Sequence, residues 1–250
     1  MEPSETIHRE IRARYTRAAS LLRHETSSGG HDAPVFLETG TKFGSALYTP
    51  AELTRLPVTA IAASLGCGSP TAAADLHPGY RVLDLGCGGG IDVLLAAHFV
   101  GDQGLVVGFD MTAAMLAVAQ ESARLAAVGN VRLVQGTVER LPFSLGAFHV
   151  VMSNCTMNLS TNKRLALAEV ARVLRPGGVL HLTDVLAEDA LTLAQRLERA
   201  AETGCTVGAL SRSEYMSLLA EAGFHNVTVD LRHQVADRMT AARIAARKPG

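Results

Sequence analysis

Val82-Leu83-Asp84-Leu85-Gly86-Cys87-Gly88-Gly89-Gly90-Ile91-Asp92, "VLDLGCGGGID", carries an aliphatic run into a glycine-rich turn and on into a helix. The run reads as a buried strand, and the glycines let the backbone turn sharply and approach a ligand closely. The helix behind the turn offers free N–H groups to that ligand. Such a junction alone is a weak signal. A dinucleotide fingerprint, G-x-G-x-x-G, would need glycine where Ile91 stands, so that reading fails at its third glycine.

Outward from this junction, "RVLDLG", "GLVVGFD", "VRLVQG", "FHVVMSN" and "GVLHLTDV" are short, rich in aliphatic or β-branched residues, and closed by polar residues or glycine. They predict five parallel strands with crossover helices, an α/β architecture. Crossover helices are predicted over 112–127, with Thr112 as N-cap, and over 161–174, with "RPGG" breaking the chain before the fifth strand. Further helices are expected at about 189–202 and 211–222, with Ser211 as cap and Gly223 as stop. "FHNVTVDLR" and "TAARIAARKP" are weaker strand candidates that would suit an antiparallel finishing pair. Ahead of the sheet lie a helix over 5–23, a polar loop "RHETSSGGHDAP", and a helical piece over 56–65 stopped by Gly66 and Gly68, after which Pro70 can start another. This divides the chain into a helical segment or lid, 1–75, and an α/β domain, 76–250.

The second strand ends in Asp110, about 20 residues past the glycines, where a carboxylate can accept from both hydroxyls of a ribose. Met111 follows it, and Val138 and Glu139 follow the third strand, positions that can edge a nucleobase. Together these strand ends resemble the class I S-adenosylmethionine-dependent methyltransferases over about residues 76–185. The resemblance implies a Rossmann-like, mostly parallel seven-stranded sheet with an antiparallel C-terminal strand and a helical N-terminal extension. It also implies that Asp84, Gly86 and Gly88 flank the methionine part of the cofactor, Asp110 the ribose, and Val138 or Glu139 the adenine. Asp84 taken singly is equally a turn-capping residue.

Four cysteines are present, too widely spaced for zinc knuckles or a disulfide scaffold, so free thiols are expected. Cys87, between two glycines, reads as a small packing residue. Cys67 in "LGCGSP", Cys155 in "SNCTMNLS" and Cys205 in "GCTVGAL" stand in small or polar turns, where a structural and a chemical role are both open. Taken together with "GFDMTAAMLAVA", these segments resemble, in the same order, the arsenite S-adenosylmethionine methyltransferases, from about Tyr15 to Phe224. The resemblance implies that Cys67, Cys155 and Cys205 are the catalytic arsenic(III) ligands, with an arsenic-binding insertion around 186–222. It implies methylation of arsenite or methylarsenite for detoxification, S-adenosylmethionine as cofactor, and glutathione or thioredoxin as external reductant. Soft thiolates suit arsenic(III), and a nearby cation or helix N-terminus that lowers the thiol pKa would help. Four-cysteine members of the family carry another cysteine in the N-terminal segment, where "LLRHETSSGGHDAP" has none.

The alternative is a methyltransferase for an organic O, N or C nucleophile, which would need a base facing the methyl group. The histidines are scattered singly, and His98, His149, His181 and His225 read as structural. Tyr15 reads as a packing or a cofactor residue, Asn154 and Asn158 as loop-fixing or cofactor-contacting, and the basic "RLERA" and "RIAARKPG" as solvated faces. A net charge of −1 gives no basic excess, so no nucleic-acid partner is expected. The charged N-terminus lacks a signal-peptide core, and no apolar run is long enough for a membrane span, so a cytoplasmic monomer acting on a small molecule is expected.

Overall fold

The computed structural model describes residues 3–27, 42–72, 74–205 and 207–250. Seven strands form one sheet in the order β3-β2-β1-β4-β5-β7-β6. They are β1 (Arg81–Leu85), β2 (Leu105–Asp110), β3 (Val131–Gln135), β4 (Phe148–Asn154), β5 (Leu174–Ala187), β6 (His225–Ala236) and β7 (Met239–Arg247). The first five pair in parallel, and β7 runs antiparallel to both β5 and β6. The expected strands and the antiparallel finish are therefore present.

Strand alternation sends successive residues to opposite faces, and helices cover both. Leu83, Leu85, Phe109, Phe148 and Leu180 pack with Leu167 and Val170 of α6 (Lys163–Val173) on one face. Val82, Val106, Val150 and Met152 pack with Val93, Ala97 and Val100 of α4 (Ile91–Val100) on the other. Cys87 is buried in this second cluster, in keeping with a packing role. The remaining helices are α1 (Pro3–Ser27), α2 (Pro50–Leu53), α3 (Val58–Ala62), α5 (Ala113–Leu125), α7 (Leu193–Glu198), α8 (Ala200–Thr203) and α9 (Arg212–Glu221). Helix α1 lays Ala19 and Leu22 against Ala63, Met115 and Val118, roofing the carboxyl end of the sheet. The Gly29-Gly30 part of the expected loop lies outside the described residues.

Local chemistry explains the departures from expectation. Pro70 starts only a single turn, closed by Ala74 N–H donating to its carbonyl. "RPGG" lies within β5, where the register jumps from Phe148↔Leu174 to Val150↔Val179 and the surplus residues bulge. The helix expected over 189–202 is divided at Arg199 into α7 and α8. Thr112 takes the N-cap place of α5, but its side chain makes no cap hydrogen bond, whereas Ser211 caps α9 as expected. The solvated reading of "RLERA" is corrected at Arg196, which is buried and donates to the carbonyls of Leu191 and Ala209 and to Glu214. A buried guanidinium persists only with such a full set of acceptors.

Leu167 is completely buried and remote from the carboxyl end of the sheet. Leu167→Ala should cost about 2–5 kcal/mol, read as a lower urea midpoint at constant m-value.

Candidate active site

Beyond the carboxyl ends of β1, β2 and β4 lies a cleft of about 900 Å³, part of it open to solvent. Its floor is the glycine turn, where Gly86 holds a φ of +70° and a side chain would collide with Thr156. Gly88 N–H donates to Asp110 Oδ2 over 3.0 Å, and Thr112 N–H donates to Oδ1 over 2.8 Å. Burial raises the Asp110 pKa despite these bonds. Asp84, buried at the base of the turn, is pushed well above the carboxylate range by burial first and then by the charges of Asp92 and Asp110. A cationic ligand beside them would restore their ionised form.

At the far end Glu139 accepts from Ser160 Oγ over 2.6 Å and Thr161 N–H over 3.0 Å, with His8 of α1 at 3.6 Å. Burial opposes ionisation there, but the hydrogen bonds from Ser160 and Thr161 and the His8 charge prevail and hold the pKa low. Met111 and Val138 line the same cleft, as do Gly86, Gly88, Asp110 and Tyr15. Among the described residues, Ser64 Oγ, Asp84 Oδ2, Thr112 Oγ1 and Glu139 Oε2 are buried without a hydrogen-bond partner. Ser64, Thr112 and Glu139 belong to the cleft wall. Buried orphans are costly, and their gathering here fits a polar nucleoside ligand.

Asn154, at the end of β4, has a structural occupation. Its Oδ1 accepts from Cys67 N–H over 3.0 Å and from Thr183 Oγ1 over 2.9 Å. Its Nδ2 donates to Gly68 O over 2.6 Å, with Tyr48 Oη and Asp92 Oδ2 both at 3.3 Å. Tyr48 Oη and Thr71 Oγ1 in turn donate to the two oxygens of Asp92, over 2.8 and 3.0 Å. The side chain borders the cleft, and its amide holds the turn at 66–68, so it fixes the loop at a place where it also faces the space expected for the cofactor. Asn158 likewise fixes a loop: its amide donates to Asp184 Oδ1 and Val185 O, and its Oδ1 accepts from Leu210 N–H.

The consequence is a meeting of two sulfurs. Cys67 and Cys155 are joined in a disulfide, with Cα atoms 6.1 Å apart. The expectation of free thiols is corrected for this pair, because the Asn154 clamp brings the two backbones within disulfide reach. Cys155 adopts φ +57°, a left-handed conformation that costs an L-residue about 1–2 kcal/mol, and its N–H donates to Thr183 O. That strain turns the thiol back toward the Cys67 turn. Cys205 remains a free thiol in the same apolar cluster, buried with Cys67 among Val185, Leu191, Ala209 and Met239, but it is not part of the close group that Cys67 and Cys155 form with Asp184. Asn158 Nδ2 lies 3.7 Å from its Sγ. The sulfurs of Cys67 and Cys155 and a carboxylate oxygen of Asp184 lie within 4.8 Å of one another.

The expected lowering of thiol pKa is not realised at Cys205. Burial first, and then Asp184, push it up to about 12, against the smaller opposing effects of Thr203, Asn158 and Lys163. Asp184 itself is buried and accepts from Tyr215 Oη over 2.7 Å.

A second chamber opens between α1 and the end of α8 with the two residues after it, lined by Arg14, Arg17, Phe43, Cys155 and Cys205 among others. Tyr15, Leu65, Cys155 and Leu159 line both it and the cleft, so the two spaces share a wall. Sequence reasoning missed Tyr48, Asp92 and Asp184. Asp92 and Asp184 were readable, as the acid in the first turn behind the glycines and as the polar end of a strand; Tyr48 had no such signal.

Fold and cleft together define a class I nucleoside-binding α/β protein. Residues 76–223 match the methyltransferase domain family. An arsenic(III) S-adenosylmethionine methyltransferase from Chlamydomonas reinhardtii superposes with a TM-score of 0.66 at 31% identity, covering 80% of this chain and 72% of that one. An arsenite methyltransferase from Halobacterium salinarum is 36% identical over 198 residues, 74% of this chain and 51% of the relative. A ubiquinone/menaquinone biosynthesis C-methyltransferase from Vibrio campbellii is 45% identical, but over 42% of this chain and 40% of its own length. The chain belongs to the methyltransferase domain family and, within it, to the arsenite S-adenosylmethionine methyltransferases. It spans about half the length of the curated arsenite methyltransferase from Halobacterium.

Two outcomes test the clamp. Asn154→Ala frees the Cys67 turn, so the Cys67–Cys155 disulfide should become at least tenfold easier to reduce in a redox titration against glutathione; an unchanged midpoint would show that the clamp does not position the pair. Burial pushes Asp92 up to about 6 from an ordinary 3.8, despite hydrogen bonds from Tyr48, Asn154 and Thr71. The folded state then holds the proton more tightly than the unfolded one, so this group's contribution to stability is full below about pH 4 and is lost as pH rises through about 6. Asp92→Asn should flatten the stability profile across that window in urea titrations.

Proposed function

We propose that this protein transfers a methyl group from S-adenosylmethionine to trivalent arsenic, arsenite or methylarsenite, held by cysteine sulfur. The observation that carries this reading is Cys155, which borders both the nucleoside cleft and the chamber holding Cys205, and is paired with Cys67. The buried orphan atoms and the acids of the cleft fit S-adenosylmethionine. Asp84 and the glycine turn would hold its methionine end, Asp110 the ribose, and Glu139 with Val138 the adenine. When bound, that cofactor supplies a methyl group already activated by its sulfonium centre.

The chain's own work is therefore placement. An external thiol, glutathione or a thioredoxin dithiol, reduces the Cys67–Cys155 disulfide and leaves as its own disulfide. Each thiol then exchanges for an arsenic-bound hydroxide, forming an As–S bond and releasing one water. Sulfur ligation leaves the arsenic lone pair free, and the Cys155 wall turns it toward the cleft. Leu65, Leu159 and Tyr15 at the junction exclude water from the line of transfer. No base is required, and no histidine lines the chamber among the described residues. An organic nucleophile, as in the rival reading suggested by the ubiquinone/menaquinone relative, would need one, for which Glu202 in the chamber and His8 in the cleft are the candidates.

Incubation with arsenite or methylarsenite, S-adenosylmethionine and glutathione should give methylated arsenic, resolved by chromatography with mass detection. A Cys155→Ser, Cys205→Ser double variant should lose at least 100-fold. Product no higher than in an enzyme-free control, or full activity in the double variant, would defeat the proposal.

A further inference from the structure

The second chamber is far larger than arsenite or methylarsenite requires, with about 1070 Å³ of space between its walls, part of it open to solvent. Its lining is uneven. Phe43, Leu65, Leu159, Ala18 and Leu21 form an apolar flank, whereas Arg14 and Arg17, three residues apart on α1, place two guanidinium groups on one side. Arg14 lies over Gly204, its Nη2 3.5 Å from where a β-carbon of that residue would stand, directly beside Cys205. Glu202 shares the chamber, yet neither arginine forms an ion pair with it or with any other acid among the described residues. Arg14 instead has its guanidinium carbon 6.0 Å from the ring centroid of Tyr15, the residue that borders both spaces.

Two charges without a carboxylate partner, next to the sulfur ligands and facing an apolar flank, call for a particular substrate shape. Resting on the arsenic reading above, we propose that the chamber selects trivalent organoarsenicals whose apolar substituent ends in a carboxylate. Arsenic binds the cysteine sulfurs, the substituent lies along Phe43 and Leu21, and its carboxylate is taken by Arg14 and Arg17. A guanidinium suits this task because its planar fork matches a carboxylate in two parallel hydrogen bonds. Binding exchanges arsenic-bound hydroxides for cysteine sulfurs with release of water, and the As–C bond stays intact. A carboxylate carried through an As–S bond to an external thiol offers the same anion from another source.

The test compares 4-carboxyphenylarsenous acid with phenylarsenous acid as substrates of the full chain, kept reduced by a phosphine so that no external thiol is present. The carboxylated probe should have a kcat/KM at least tenfold higher. In an Arg14→Gln, Arg17→Gln double variant the ratio of the two values should fall to near one, and because it is a ratio it is independent of how much variant protein is active. In the unaltered protein the ratio should also shrink as ionic strength rises. Repeating the pair with glutathione present separates the sources: a preference that appears only then would place the anion on the thiol adduct and overturn the organoarsenical form. Methylation of both probes at equal kcat/KM, or a preference that survives the double substitution, overturns the inference while leaving arsenic methylation intact. Methylation of neither probe, nor of arsenite, overturns both.

Discussion

The side-chain amide of Asn154 is the interaction on which the active end of the sheet depends. It closes four gaps at once, from the end of β4 to the Cys67 turn, to Gly68, to Thr183 on β5 and to the Tyr48–Asp92 pair at the start of α4. Each partner is a buried or half-buried polar group whose loss would leave an unmet hydrogen bond, so the network has one satisfied arrangement and strong reasons to keep it. Position of the Cys67 turn and the left-handed backbone at Cys155 follow from that one arrangement. The first residue after the clamp is Cys155 itself, which accepts a left-handed backbone because the residues on either side are held.

The arrangement also explains why the thiols rest as they do. Cys67 and Cys205 are almost wholly buried in an apolar cluster, and Asp184 stands among them with its carboxyl pushed up to about 6 by burial. An apolar, acid-flanked pocket disfavours thiolates. On the proposed function, arsenic bound through sulfur would remove that penalty, because the thiol proton is replaced by a covalent bond. The Cys67–Cys155 disulfide holds the other two sulfurs of the proposed set in oxidised form.

The sheet was legible in the sequence because its strands are short apolar runs that end abruptly, and β1, β2, β4 and β5 bury most of the residues that carry the pattern, whereas β3 at the sheet edge is only partly covered. The cofactor cleft was legible for the same reason: its residues sit at strand ends and at a glycine turn, both local signals. The Asn154 clamp was not, because its partners lie 29 to 106 residues away and nothing in a lone asparagine distinguishes a bridge from a turn. Arg196 was misread for a related reason, since only the fold reveals the carbonyls of Leu191 and Ala209 that let a guanidinium be buried. Disulfide pairing between Cys67 and Cys155, 88 residues apart, likewise depends on β4 and the 66–68 turn meeting in space.

The central claim, that cysteine sulfurs of this chain hold trivalent arsenic beside the nucleoside cleft, is tested most directly by X-ray absorption at the arsenic edge. The protein, reduced by a phosphine and free of external thiols, is loaded with one equivalent of arsenite in the presence of S-adenosylhomocysteine. Sulfur scatterers in the first coordination shell, diminished in Cys67→Ser, Cys155→Ser and Cys205→Ser variants, are the predicted result. A shell of oxygen alone, or a sulfur shell indifferent to all three substitutions, would contradict the account.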